Sequence, residues 1–119
     1  DLLNDDQPYL VQTRCGRPIV SVPYTSEVND FTVFMRQGKD VEGAFKVFKE
    51  QFDWLYMESE KSGRHMNIGL HPHVIGQPFR IRSLQMFLEY ARGFDDVWFA
   101  TREEIASWYL EHHAEHIGE

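Results

Sequence analysis

From Asp40 onward the chain alternates between amphipathic stretches and short apolar runs, in the order helix, strand, helix, strand, helix. That order argues for an α/β fold with a parallel sheet, because parallel neighbours need a crossover and a helix normally supplies it. The first helix is expected over 40–62. Val41, Phe45, Phe48, Phe52 and Leu55 recur at four- and three-residue steps and share one face. Asp40 can cap its start, Glu42 suits its first turn, and Gly63 is a natural stop. Lys46 with Glu50, and Lys49 with Asp53, fall on the opposite, solvated face. His65 to Leu70 then reads as a buried parallel strand. Val74 to Pro78 reads as a loop. A second helix is expected from Pro78 or Phe79, with Ile81, Leu84, Phe87, Leu88 and Ala91 as its apolar stripe and Gly93 as its end. Asp96 to Ala100 is the second expected strand. Thr101 and Glu104 match a capping box, and the helix they open should turn Ile105, Trp108 and Tyr109 inward.

The first 39 residues are less regular. Tyr9 to Gln12 and Ile19 to Val22 flank Arg14-Cys15-Gly16-Arg17-Pro18, which predicts a hairpin that Pro23 ends. Tyr24 to Lys39 has no clean period and reads as a loop, the kind of segment on which sites are built. Two parallel strands cannot make a sheet covered on both faces. The chain also opens on Asp1 and continues as domain interior, so a piece of something longer is expected, with 1–119 as the C-terminal part of one domain whose N-terminal half lies upstream.

Composition narrows the function classes. Hydrophobic residues make up 42% and aromatics 14%, enough for a core and against disorder. A formal charge of -7 repels phosphate backbones and disfavours nucleic-acid binding. No apolar run approaches the roughly 20 residues that span a bilayer, so no membrane partner is expected. Cys15 alone forms no internal disulfide and reads as a small turn residue beside Gly16; lone cysteines are common in cytosolic proteins, and a cytoplasmic location is expected.

Several residue groups could carry chemistry. His71 ends the expected 65–70 strand, and sites in α/β proteins gather at the C-terminal ends of parallel strands. A histidine there can act as general acid or base, or simply satisfy the strand end. His73, two residues on, would face the same way. Glu27, Asn29 and Asp30 form a compact polar cluster that can bind a polar substrate, orient a histidine or cap a turn. Asn4, Asp5 and Asp6 read best as a solvated turn. His112 and His116 are spaced i,i+4 but lack the glutamate of a His-Glu-x-x-His site, and with His113 they read as a polar tail. Phe45, Phe48, Phe52, Trp54, Phe87 and Trp108 read as core or inter-subunit packing.

Taken together, Asn4-Asp5-Asp6-Gln7-Pro8-Tyr9, Ser21-Val22-Pro23-Tyr24-Thr25-Ser26-Glu27-Val28-Asn29-Asp30, Ile68-Gly69-Leu70-His71-Pro72-His73-Val74-Ile75-Gly76-Gln77-Pro78 and Asp95-Asp96-Val97-Trp98-Phe99-Ala100-Thr101-Arg102-Glu103-Glu104-Ile105 resemble polysaccharide deacetylases of the NodB type. The likeness is strongest to the branch with allantoinases, cyclic-imide hydrolases and some peptidoglycan deacetylases. The resemblance implies the C-terminal portion of a distorted (β/α) barrel and hydrolysis of a carbon–nitrogen bond in an amide, a cyclic amide such as allantoin or a cyclic imide, or an N-acetyl sugar. It implies His71 as the catalytic histidine, Leu70 as a pocket wall, and Glu27, Asn29, Asp30 and His73 as the substrate side. It implies a homo-oligomer. Deacetylase members bind a divalent metal such as zinc through an Asp and two His. Neither a Thr-Phe-Asp-Asp nor a His-x-x-x-His stretch occurs among the matched motifs, so no metal ligand is carried over to this chain. Pro72 stands where sugar deacetylases commonly have an acidic residue, which favours the allantoinase-like branch. Two other readings compete: a non-catalytic binding or scaffold member of the same fold, and an independent small α/β interaction domain.

Overall fold

The computed structural model describes residues 5–115. Two short strands, β1 (Tyr9–Gln12) and β2 (Pro18–Ser21), pair antiparallel with Tyr9 opposite Ser21 and Val11 opposite Ile19. The turn between them carries the exposed Cys15, whose Sγ lies 3.1 Å from the Thr13 hydroxyl. The hairpin is as expected, and Pro23 follows it as a buried residue.

The first helix, α1 (Val41–Glu58), forms the backbone of the core. The Asp40 carboxylate accepts the Gly43 amide at 2.7 Å, satisfying one of the amides that a helix start leaves without an intrahelical partner. Gly38, at φ +63, turns the chain into this cap through a backbone conformation that side-chain-bearing residues rarely adopt. Ala44, Phe48, Phe52 and Leu55 are buried on one face. They pack against α3 (Ile81–Ala91), whose Phe87 meets Phe48 and Phe52 edge-on at 5.9 Å each. Phe52 also contacts Phe94 at 5.0 Å and Tyr90 at 5.7 Å. Lys49, Asp53 and Tyr90 fasten the edge of this interface, since both Lys49 Nζ and the Tyr90 hydroxyl bond the Asp53 carboxylate at 2.5 Å. The last helix, α4 (Arg102–His112), opens on the expected capping box between Thr101 and Glu104.

Several expectations need correction. Neither the 65–70 nor the 96–100 segment is a strand in the described structure. The one trace of a parallel sheet is an isolated bridge between Asn29 and Gly69. A strand exists only with a neighbour to pair with, and among the described residues these segments have none. The supposed loop after His71 contains a single helical turn, α2 (Pro72–Ile75), because Pro72 at its first position presets a helical φ. Gly76 closes it: a Cβ there would sit 2.4 Å from the Pro72 carbonyl oxygen. The irregular 24–39 stretch includes a π-helical turn, Phe31–Arg36, that buries Val33 and Phe34. In α4 only Tyr109 is buried, while Trp108 is 43% exposed. Trp54 is 62% exposed and lies outside the core.

Phe48 is fully buried among aromatic rings, so Phe48→Ala is expected to destabilise the protein by about 3–5 kcal/mol in urea unfolding. A pH effect follows from Asp53. Burial pushes its carboxyl up, but hydrogen bonds from Lys49 and Tyr90 outweigh that and hold it below the usual carboxylate range. The stability it contributes is therefore present above the ordinary carboxylate pKa and is lost as pH falls through the lowered one. Asp53→Asn should flatten the acid limb of a stability-against-pH curve; an unchanged limb would show that other carboxylates set it.

Candidate functional site

The site is built where the 24–30 and 65–70 segments meet at the Asn29–Gly69 bridge. The Asp30 amide donates to the Gly69 carbonyl at 3.1 Å, which brings the end of the 24–30 segment beside the end of the 65–70 segment. This contact aims the Asp30 side chain at the start of α2. Its carboxylate is fully buried and accepts three hydrogen bonds: from the His71 amide at 2.7 Å, from the Ile75 amide at 3.2 Å, and from His71 Nδ1 at 2.6 Å. Removing a carboxylate from water is costly unless hydrogen bonds replace hydration, and here three donors do so.

The consequence falls on His71. With Nδ1 against an acceptor-only carboxylate oxygen, the ring proton on that side is fixed and the other nitrogen, Nε2, is left to exchange a proton. Among the described residues nothing bonds Nε2, and the side chain is 45% exposed. The Phe31 ring stands 5.9 Å from the imidazole and the His73 ring meets it edge-on, also at 5.9 Å. Leu70 and His73 are both exposed beside it.

The polar cluster divides into different tasks. Asn29 is spent on its own turn: its amide donates to the Ser26 carbonyl at 2.8 Å and its oxygen accepts the Thr32 amide at 2.8 Å. Asn29 thus braces the turn that leads into the Phe31–Arg36 segment. Asp30 is fully buried, and its carboxylate oxygens are occupied by the N–H groups of His71 and Ile75. Glu27 stays exposed, with the Ser26 hydroxyl 3.4 Å from its carboxylate. Phe31 was missed by sequence reasoning, since an aromatic at the head of an apolar stretch gives no sign of which ring it will meet.

The remaining candidates stay structural. Asp5 accepts the Asp6 amide at 2.8 Å in a local turn, and Asn4 lies outside the described residues. His112 and His113 bond backbone carbonyls of their own helix at 2.7 and 3.0 Å; His116 lies outside the described residues. Among the described residues no three His, Cys, Asp or Glu side chains gather as a metal site, so these residues do not fit the metal that the deacetylase resemblance implies. No described helix is long and apolar enough to cross a membrane.

Over 94% of its length the chain is similar to proteins named as polysaccharide deacetylases and to an allantoinase. A Schizosaccharomyces pombe protein named as a polysaccharide deacetylase is 37% identical over 123 residues, covering 94% of this chain and 38% of that one. Two crystal structures share the fold: a Pseudomonas aeruginosa protein described as a polysaccharide deacetylase (TM-score 0.84, 40% identity) and the Puue allantoinase (TM-score 0.86, 38% identity). Each comparison covers 94% of this chain and 38% of the neighbour, so the chain spans about two fifths of the length of the relatives it matches. No family model matches the chain.

Asp30→Asn tests the geometry directly. The amide can present an N–H to Nδ1, so the mutant imidazole should shift its proton toward Nε2, read from nitrogen chemical shifts of His71. A tautomer unchanged from wild type would show that Asp30 does not set it.

Proposed function

We propose that the chain forms the C-terminal part of a catalytic domain that hydrolyses a non-peptide carbon–nitrogen bond, and that it supplies the acid element of the site. The observation that carries this reading is the 2.6 Å contact between His71 Nδ1 and a fully buried Asp30 carboxylate, with Nε2 left open. Water adds to an amide carbonyl to give a tetrahedral intermediate. The bond from carbon to nitrogen then breaks, and the protonated His71 delivers its Nε2 proton to the departing nitrogen, which leaves poorly as an amide anion. Asp30 holds Nδ1–H throughout, so the ring neither rotates nor loses the wrong proton. The base that activates the water, and any divalent metal such as zinc, belong to residues outside this chain.

The substrate is a small molecule with an amide, a cyclic amide or an N-acetyl group. The names of the structural neighbours, a deacetylase and an allantoinase, support that range. Leu70 and His73 flank the imidazole and would contact it, with Glu27 on the rim. Pro72 after the histidine favours a cyclic amide over a sugar. A cytoplasmic location is part of this reading, in which Cys15, the one cysteine of the chain, is an exposed turn residue. Trp54 and Met57, 62% and 50% exposed on α1, offer a homo-oligomer contact.

In the complete enzyme, His71→Ala should lower turnover at least about 100-fold, the scale of a lost general acid, with little loss of stability. Asp30→Asn should lower kcat by at least about tenfold while KM changes little, since the residue acts only through His71. Assays on allantoin, cyclic imides and N-acetylated sugars check both. Activity within about threefold of wild type in His71→Ala removes the histidine from the mechanism and favours the non-catalytic binding role.

A further inference from the structure

The π-helical turn Phe31–Arg36 starts directly after Asp30, the carboxylate that holds His71. Such turns are rare and are frequent at functional sites. Its closing hydrogen bond runs from the Gln37 amide to the Thr32 carbonyl at 2.9 Å, five residues back instead of four. The wider closure changes which side chains meet. On an α-helix, residues five apart point about 140° away from each other. Here the Arg36 guanidinium stands over the Phe31 ring, 5.7 Å from its centroid. Val33 and Phe34 are buried on the inner side of the turn and fix it against the core.

The same Phe31 ring stands 5.9 Å from the His71 imidazole, tilted by 53°. One half-buried ring therefore touches the cation of Arg36 and the imidazole of His71. Arg36 is exposed, and among the described residues it is held by this ring and not by a carboxylate. A guanidinium resting on an aromatic face keeps its N–H donors, which lie in the guanidinium plane, for another partner. Those donors form a fork that matches a carboxylate with two parallel hydrogen bonds. Arg80, also beside this turn, is differently engaged: it lies over the Phe34 and Phe79 rings at 5.4 and 4.5 Å and 3.5 Å from the Val74 carbonyl.

We infer that Arg36, held in place by Phe31, determines specificity at the His71 site and selects a small cyclic amide that carries a carboxylate. The molecule lies along the Phe31 ring, with its scissile nitrogen at His71 Nε2 and its carboxylate on the Arg36 guanidinium. A chain with a formal charge of -7 repels anions at large, so an anionic substrate needs a dedicated cation at the site. The inference rests on the proposed hydrolysis at His71 and names the substrate class of that site.

The test uses the complete enzyme and two probes with the same ring, dihydroorotate with a carboxylate and dihydrouracil without one. Their dissociation constants are measured by calorimetry and read as a ratio. The wild type should bind dihydroorotate at least about tenfold more tightly, the scale of a hydrogen-bonded charge pair. Arg36→Gln should bring the ratio to within about threefold of one. Phe31→Leu should lower it as well, and Phe31→Tyr, which keeps the ring, should preserve it. Should Phe31→Leu fail to fold, Arg36→Gln decides alone, because its side chain is exposed. Equal affinities in the wild type, a ratio that survives Arg36→Gln, or no binding of either probe would overturn the inference. A protein that shows this preference but hydrolyses no amide refutes the proposed function alone. An active amide hydrolase with a ratio near one refutes this inference alone.

Discussion

A single buried carboxylate organises the part of the molecule where chemistry can occur. Asp30 is reached by three N–H groups, two from the backbone of the His71–Ile75 turn and one from the imidazole itself. Buried without them, the charge would be intolerable; with them, it fixes the start of α2, the end of the 65–70 segment and the rotamer of His71 at once. The amide of the same residue ties it to Gly69. Every neighbour of the site then follows: Pro72 begins its turn where the carboxylate holds the backbone, Gly76 lets that turn close, and Phe31, one residue along, stands tilted beside the imidazole at 5.9 Å. The arrangement separates positioning from contact. Asp30 is inaccessible and holds; His71 is half exposed and can reach a substrate.

The local signals in the sequence were legible where one residue's chemistry decides the outcome within a few neighbours. Asp40 caps α1, Thr101 and Glu104 form their box, and the Phe45–Phe48–Phe52 spacing turns the right face inward, because each depends on helix geometry alone. His71 was legible as the end of an apolar run, although that run is not a strand among the described residues. Its partner was not. Asp30 and His71 are separated by 41 positions, and nothing in the polar cluster distinguishes the residue that will be buried against the histidine from Asn29, which caps its own turn. The two could be told apart only once the Asn29–Gly69 bridge had set the register between the segments.

The expected strands illustrate the opposite limit. Apolar, extended runs at 65–70 and 96–100 fit a parallel sheet, yet a strand is a property of a pair. The sequence pattern reports what the segment is suited to, and the hydrogen bonds report what its neighbours supply. Where both neighbours lie within reach, as in the β1–β2 hairpin, pattern and ladder agree. Where the neighbour is far along the chain, the pattern is the only trace.

The same reasoning explains why α4 carries its aromatic residues in two directions. Tyr109 is buried against the described structure while Trp108 stands in the cavity wall, 43% exposed and next to His112 in a stacked arrangement at 4.5 Å. Neighbouring positions on a helix point about 100° apart, so a helix with one apolar stripe would bury one of them and leave the other to a polar residue. Placing an aromatic at both widens the apolar arc of α4, so that Trp108 and Tyr109 together line the cavity that Leu88, Trp98 and Phe99 also line.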